Sequence, residues 1–146
     1  MFAALKRRLT DGLDGVLGRY TADKELLEGA MAACAMIAAA DGEIEAQEKA
    51  KTAAFIRTHE TMKHFDTSEA ARLFTRYAGE FDFDYDMGAD TCLKQIGEVK
   101  GDEKRTLVAR LALAIAKSDG EFEPAEKIAA GKIIDTLGLS RADFGL

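Results

Sequence analysis

Proline occurs once in this chain, tryptophan never, and cysteine only at Cys34 and Cys92. A single proline leaves no proline-rich linker or tail, and 47% hydrophobic with 32% charged residues is the composition of a globular chain. Two cysteines are too few for a disulfide scaffold, so a cytoplasmic protein with reduced thiols is the simplest expectation. Positive charge is also short. The formal net charge of −6 argues against nucleic acid and against direct docking on an anionic membrane. The longest apolar run, Ala30 to Ala40, falls well below the roughly 20 residues that span a bilayer, and no membrane insertion is expected. Lys6, Arg7 and Arg8 are not followed by an apolar segment, so the start does not read as a secretory signal. There is no glycine-rich phosphate loop, no dinucleotide fingerprint, and no serine or cysteine nucleophile beside a plausible base.

What the chain does have is an internal repeat. Asp41-Gly42-Glu43-Ile44-Glu45-Ala46-Gln47-Glu48-Lys49 returns 78 positions later as Asp119-Gly120-Glu121-Phe122-Glu123-Pro124-Ala125-Glu126-Lys127. Aligned from Met36 to Thr58 without gaps, the copies agree at ten of twenty-three positions, Ile37, Ala38, Ile56 and Thr58 among them. A repeat sets architecture before any local feature does. Each copy reads as helix, acidic turn, helix, with repeat units near 24–58 and 102–136.

The chain length suits one domain. Residues 1–20 read as an N-terminal arm packed on the bundle, with Phe2, Leu5 and Leu9 on one side of a short helix. Gly12, Gly15 and Gly18 weaken helix through Tyr20, and this segment is expected to be loosely held. From 21 to 146 the spacing predicts an all-α domain, giving about seven helices overall. Thr21 or Asp23 caps the first clear helix, whose stripe is Leu27, Ala30, Met31, Cys34 and Ile37. Gly42 ends it. The next helix begins near Ala46, as Pro124 in the second copy supports, and runs through Ala50, Ala53, Ala54 and Ile56. After a turn from His59 to Phe65, Asp66-Thr67-Ser68-Glu69 reads as a capping box before a helix to about Glu80. Phe81 to Asp90 reads as a connection into a helix with Met87, Leu93, Ile96 and Val99. Asp102 is placed to cap a helix bearing Leu107, Val108, Leu111 and Ile115. The last long helix carries Ile128, Ile134 and Leu137 and stops at Gly138. Ser140 and Asp143 are placed to cap a closing turn. A pseudo-two-fold axis relating the two helix pairs is expected.

The acidic turns are the candidate site. Asp41, Glu45 and Glu48 in one, and Asp119, Glu123 and Glu126 in the other, are spaced to converge on a cation. All-oxygen ligands suit Ca²⁺, Mg²⁺ or Mn²⁺ better than Zn²⁺. Asp41, Gly42, Ile44 and Glu48 match the back half of an EF-hand loop. The front half fails, because Ile37 and Ala39, or Ile115 and Lys117, stand where carboxylates are needed. A standalone EF-hand is rejected, and an ion here would be weak or shared between the turns. Each feature also has a local explanation, since Asp-Gly closes helices and Glu favours a first turn. Asp82, Asp84, Asp86 and Asp90 form another acidic run without a closing Glu, and read as caps and solvated charge. His59 and His64 do not share a helix face. Cys34 and Cys92 read as packed small hydrophobes.

The stretch from Lys117 to Lys127, the segment Phe81-Asp82-Phe83-Asp84 and the ending Asp143-Phe144-Gly145-Leu146 resemble the tellurite-resistance TerB family over nearly the whole chain. The resemblance implies an all-helical cytoplasmic protein of tellurium resistance and stress response, with a divalent metal coordinated by Asp41, Glu45, Glu48, Asp119, Glu123 and Glu126. It also implies a TerC-like membrane protein and TerD-type calcium-binding proteins as partners, with association at the inner face of the membrane through them. The leading expectation is a non-enzymatic metal-binding interaction module. A hydrolase with carboxylate-held ions is disfavoured, because no base or substrate-orienting group stands near the turns. A metal-free helical scaffold is the third expectation.

Overall fold

The computed structural model describes residues 12–42, 44–116 and 123–146. Within them run seven α-helices: α1 (Leu13–Leu17), α2 (Lys24–Ala38), α3 (Ala46–Thr58), α4 (Thr67–Gly79), α5 (Tyr85–Gly97), α6 (Asp102–Ala116) and α7 (Pro124–Thr136). Short 3₁₀ turns lie at Gly18–Tyr20, Glu60–His64 and Arg141–Phe144. No strand occurs among the described residues, and the chain is all-α.

The architecture follows from α2. Asp23 caps it, its carboxylate accepting from the Leu26 amide at 3.0 Å, which satisfies one of the donors a helix start leaves open. Every residue from Leu26 to Ile37 except Glu28 is buried, so burial goes all round the helix, beyond the single stripe expected. A helix apolar on every side belongs in the interior. Fully burying a side chain such as Leu26, Met31 or Met36 contributes about 1.5–3 kcal/mol. Ala30, Ala32, Ala33 and Ala35 between them let neighbours close in. Accordingly α2 packs most extensively on α4, α5 and α6, and also touches α7. The second long core helix, α6, buries Leu107 to Ala109 and Leu111 to Ile115.

Helix bounds recur at the repeat offset. The pairs α2–α3 and α6–α7 start and stop at positions 78 apart. Gly138, at φ 73°, directly follows the C-cap of α7, as expected of a residue that ends a helix; α2 already stops at Ala38 with Ala39 as its C-cap, and Gly42, at φ 116°, lies in the turn beyond. Asp66 accepts from the Glu69 amide at 3.1 Å; the Glu69 carboxylate pairs with Arg72 instead. Asp84 caps α5 by accepting from the Met87 amide, and Asp82 pairs with Lys49 of α3, which accounts for half of the middle acidic run. The turn after His59 is a 3₁₀ helix whose Thr61 amide donates to His59 Nδ1.

Three expectations are corrected. Residues 13–20 are held, not loose: Leu13 and Leu17 are fully buried in the common core, and α1 packs on α6 and the Glu60–His64 turn. Burial of two leucines outweighs the glycine penalty of about 1 kcal/mol each. Met1 to Leu9 lie outside the described residues. Asp102 stands inside the first turn of α6, after Gly101 at φ 97°. Met87 and Ile128 are 58% and 62% exposed; α5 buries Gly88, Ala89, Cys92 and Ile96, a face rotated away from Met87. The helix expected through Ala50, Ala53, Ala54 and Ile56 is α3, in which only Ile56 is buried and Ala50 and Ala54 are exposed.

The starts of α2 and α6 are tied together. Lys104 reaches Asp23 at 2.9 Å and Glu25 at 2.8 Å. This contact raises the Lys104 pKa, first through its bond to Glu25, and lowers that of Glu25, first through its bond to Lys104. A carboxylate with a lowered folded pKa contributes stability above its unfolded pKa and loses it as pH falls through the folded value. Lys104→Met should therefore lower the urea midpoint at neutral pH. The gap from wild type should close as pH falls below about 4, the ordinary carboxylate range. A gap unchanged across that range would mean the loss comes from packing alone.

Candidate functional site

Each acidic turn is built by two helix ends. α2 stops at Ala38, the Gly42 amide donates to the Ala39 carbonyl at 2.9 Å, and Ile44, 7% exposed, anchors the turn in the core before α3 begins. Glu45 occupies the N-cap position of α3 in extended conformation without using its side chain as a cap. Glu48 then lies in the first turn of α3. In the second copy Glu123 is the N-cap of α7 and Pro124 opens the helix. The Glu123 amide donates to the Glu126 carboxylate at 2.9 Å, so Glu126 has a capping role whatever else it does.

The first turn and the start of α7 border the same space. A cavity of about 590 Å³ is bordered by Asp41 and Glu48 from the first turn and by Glu123 and Glu126 from the second. Its apolar wall includes Ile37 and Cys34 of α2, Phe55 of α3 and Ile115 of α6. Lys51 and Thr52 of α3 complete the polar edge. Asp41, Glu48 and Glu123 are exposed, and Glu126 is partly buried. The rim therefore faces solvent.

Of the six predicted ligands, the structure brings four to this cavity. Glu45 is exposed and does not border it. Asp119 lies outside the described residues, as do Glu43 and Glu121. Among the described residues no three His, Cys, Asp or Glu side chains come together at a spacing that would hold a metal ion. The described side chains alone do not build a compact coordination sphere, and the case for an ion rests on the sequence spacing with Asp119 included.

Cys34 borders the cavity but is only 4% exposed, and burial pushes its thiol pKa up to about 12. Cys92 is fully buried, and burial raises its pKa to about 12 as well. Neither thiol is held as a thiolate at neutral pH, so both behave as small hydrophobes. Lys51, Thr52 and Phe55 were not singled out by motif. The signal was present: Glu48, Thr52 and Phe55 fall at i, i+4 and i+7, one face of α3. No helix among the described residues is long and apolar enough to cross a membrane.

The profile described as tellurite resistance protein TerB matches residues 27–146. A relative named tellurium resistance protein TerB, from Alcaligenes sp, is 34% identical over 117 residues, covering 78% of this chain and 93% of the relative. No solved structure matches.

Proposed function

Since the chain belongs to the TerB family of tellurite-resistance proteins, we propose that it serves tellurium resistance as a non-enzymatic interaction module whose working surface is the pair of acidic turns. The observation that carries this reading is the shared cavity: four carboxylates from segments 78 residues apart meet around one space. In this reading the turns hold one or two hard divalent ions, Ca²⁺, Mg²⁺ or Mn²⁺, with Asp119 and Glu45 contributing beside the four rim residues. Oxygen ligands of this kind tolerate irregular geometry with Ca²⁺ in particular. The ion supplies positive charge that draws the two helix pairs together, and the joined surface is what a TerC-like membrane protein or TerD-type proteins engage, at the inner face of the membrane. No step of catalysis is assigned.

The test is the double variant Glu48→Gln with Glu126→Gln. Glutamine keeps a carbonyl oxygen for the Glu123 amide, so the cap survives while two charges go. In a strain that depends on this chain for tellurite tolerance, tolerance is expected to fall to the level without the chain, with an unchanged melting temperature for the purified variant. Full tolerance in the variant would contradict the proposal.

A further inference from the structure

The rim is only half of the cavity. Among the described residues, four carboxylates and a single ammonium, Lys51, stand around an opening whose wall includes Ile37, Phe55 and Ile115. An ion needs no apolar wall, and at about 590 Å³ the space falls within the roughly 300–1,000 Å³ of cavities that take organic groups. The negative rim repels phosphate and carboxylate ligands. What complements both parts is an aliphatic or aromatic side chain flanked by cations, the pattern an amphipathic helix presents at i, i+3 and i+4 when it lies in a groove.

We infer that this cavity is a docking groove for a basic amphipathic helix of a partner protein, which inserts an apolar side chain against Ile37, Phe55 and Ile115 and sets lysines or arginines on Asp41, Glu48 and Glu123. The inference rests on the reading of the acidic turns as the working surface and adds the class of partner. The buried apolar anchor supplies the affinity, and the exposed rim supplies orientation and association rate. Docking to the rim requires no bound ion.

The probe is a fluorescein-labelled amphipathic peptide of leucine and lysine, followed by anisotropy in the presence of chelator. The control has glutamine for every leucine at the same charge. Saturable binding is expected, at least about tenfold tighter than the control. Ala54→Trp should weaken it by about tenfold; Ala54 is exposed on α3 and borders the cavity, so this variant fills the groove without touching the core. Glu48→Gln with Glu123→Gln should weaken it and reduce its salt dependence. Equal binding of the control, or an Ala54→Trp variant that binds like wild type, would overturn the inference. Binding only with Ca²⁺ would overturn direct docking and leave the ion-dependent module standing. Binding in chelator, in a protein that takes up no ion, would sustain the groove while the ion reading fails.

Discussion

Arg105→Ala is expected to lower the unfolding free energy by about 2–4 kcal/mol, since hydrogen bonds from a charged donor contribute about 1.5–3 kcal/mol each and are not additive. The reason is the number of chain ends this one guanidinium holds. Its Nε donates to the Val99 carbonyl at 2.8 Å, one terminal nitrogen to Gly97 at 2.9 Å, and the other to Leu137 at 2.9 Å. Gly97 closes α5 and Leu137 follows α7, so two helix C-termini converge on a side chain of α6. The last carbonyls of a helix lack partners within it, and the partial negative charge there favours a cation. Removing Arg105 leaves both ends unsatisfied and frees the loop between α5 and α6. Arg105→Lys should recover little, because an ammonium lacks the planar fork that meets three carbonyls at once. Urea unfolding of the three proteins checks this. A loss below about 1 kcal/mol for alanine would place it among ordinary surface substitutions and show that solvent satisfies those carbonyls as well as Arg105 does.

The second large effect is at Gly29, in the middle of α2. A methyl group there would lie 2.6 Å from a methyl of Val99 and 3.5 Å from one of Val108. Both valines are fully buried, so neither can swing away. Alanine ordinarily gains about 1 kcal/mol over glycine inside a helix. Here the overlap reverses the sign, and Gly29→Ala is expected to cost about 1–3 kcal/mol net, as overpacked cores do. Gly79→Ala is the control, since nothing lies within 4 Å of its added methyl. Combining Gly29→Ala with Val99→Ala should cost less than the sum of the two changes, with a coupling of about 0.5–3 kcal/mol. Strict additivity would mean that the helices separate to accommodate the methyl.

These two residues also mark where sequence reasoning stops. Local signals were legible. Asp23, Asp66 and Gly138 announce helix ends through chemistry confined to one turn, and Pro124 in the second copy pointed to the start of α3 near Ala46. Arg105 gave no such signal, because its partners lie at the ends of two other helices and no spacing encodes them. Gly29 stood unremarked in an alanine-rich helix because its demand comes from Val99, 70 positions away. Met87 and Ile128 show the same limit from the other side. Apolar residues at roughly helical spacing were read as core, but which face of α5 or α7 meets a neighbour depends on how the helices are laid together. The candidate site was half legible. Spacing pointed to the carboxylates of each turn, but only the packing of α2, α3, α6 and α7 sets the turns around one cavity, and packing leaves Glu45 outside it. The apolar wall behind the rim was hidden for that reason too, since Ile37 and Ile115 reach it from different helices.

The measurement that bears most directly on the central claim, that the two acidic turns act as one cation-binding surface, is calorimetric titration of chelator-treated protein with Ca²⁺, Mg²⁺ and Mn²⁺, with thermal melts alongside. A ligand that binds only the folded chain raises the melting temperature, by an amount equivalent to about 2.7 kcal/mol at a hundred times its Kd. The account predicts saturable uptake of a divalent ion, a higher melting temperature, and loss of both in Asp41→Asn and in Glu126→Gln. Those substitutions lie in different turns, so a loss in each ties the turns together. No uptake at millimolar concentration, or uptake that neither substitution alters, would contradict it.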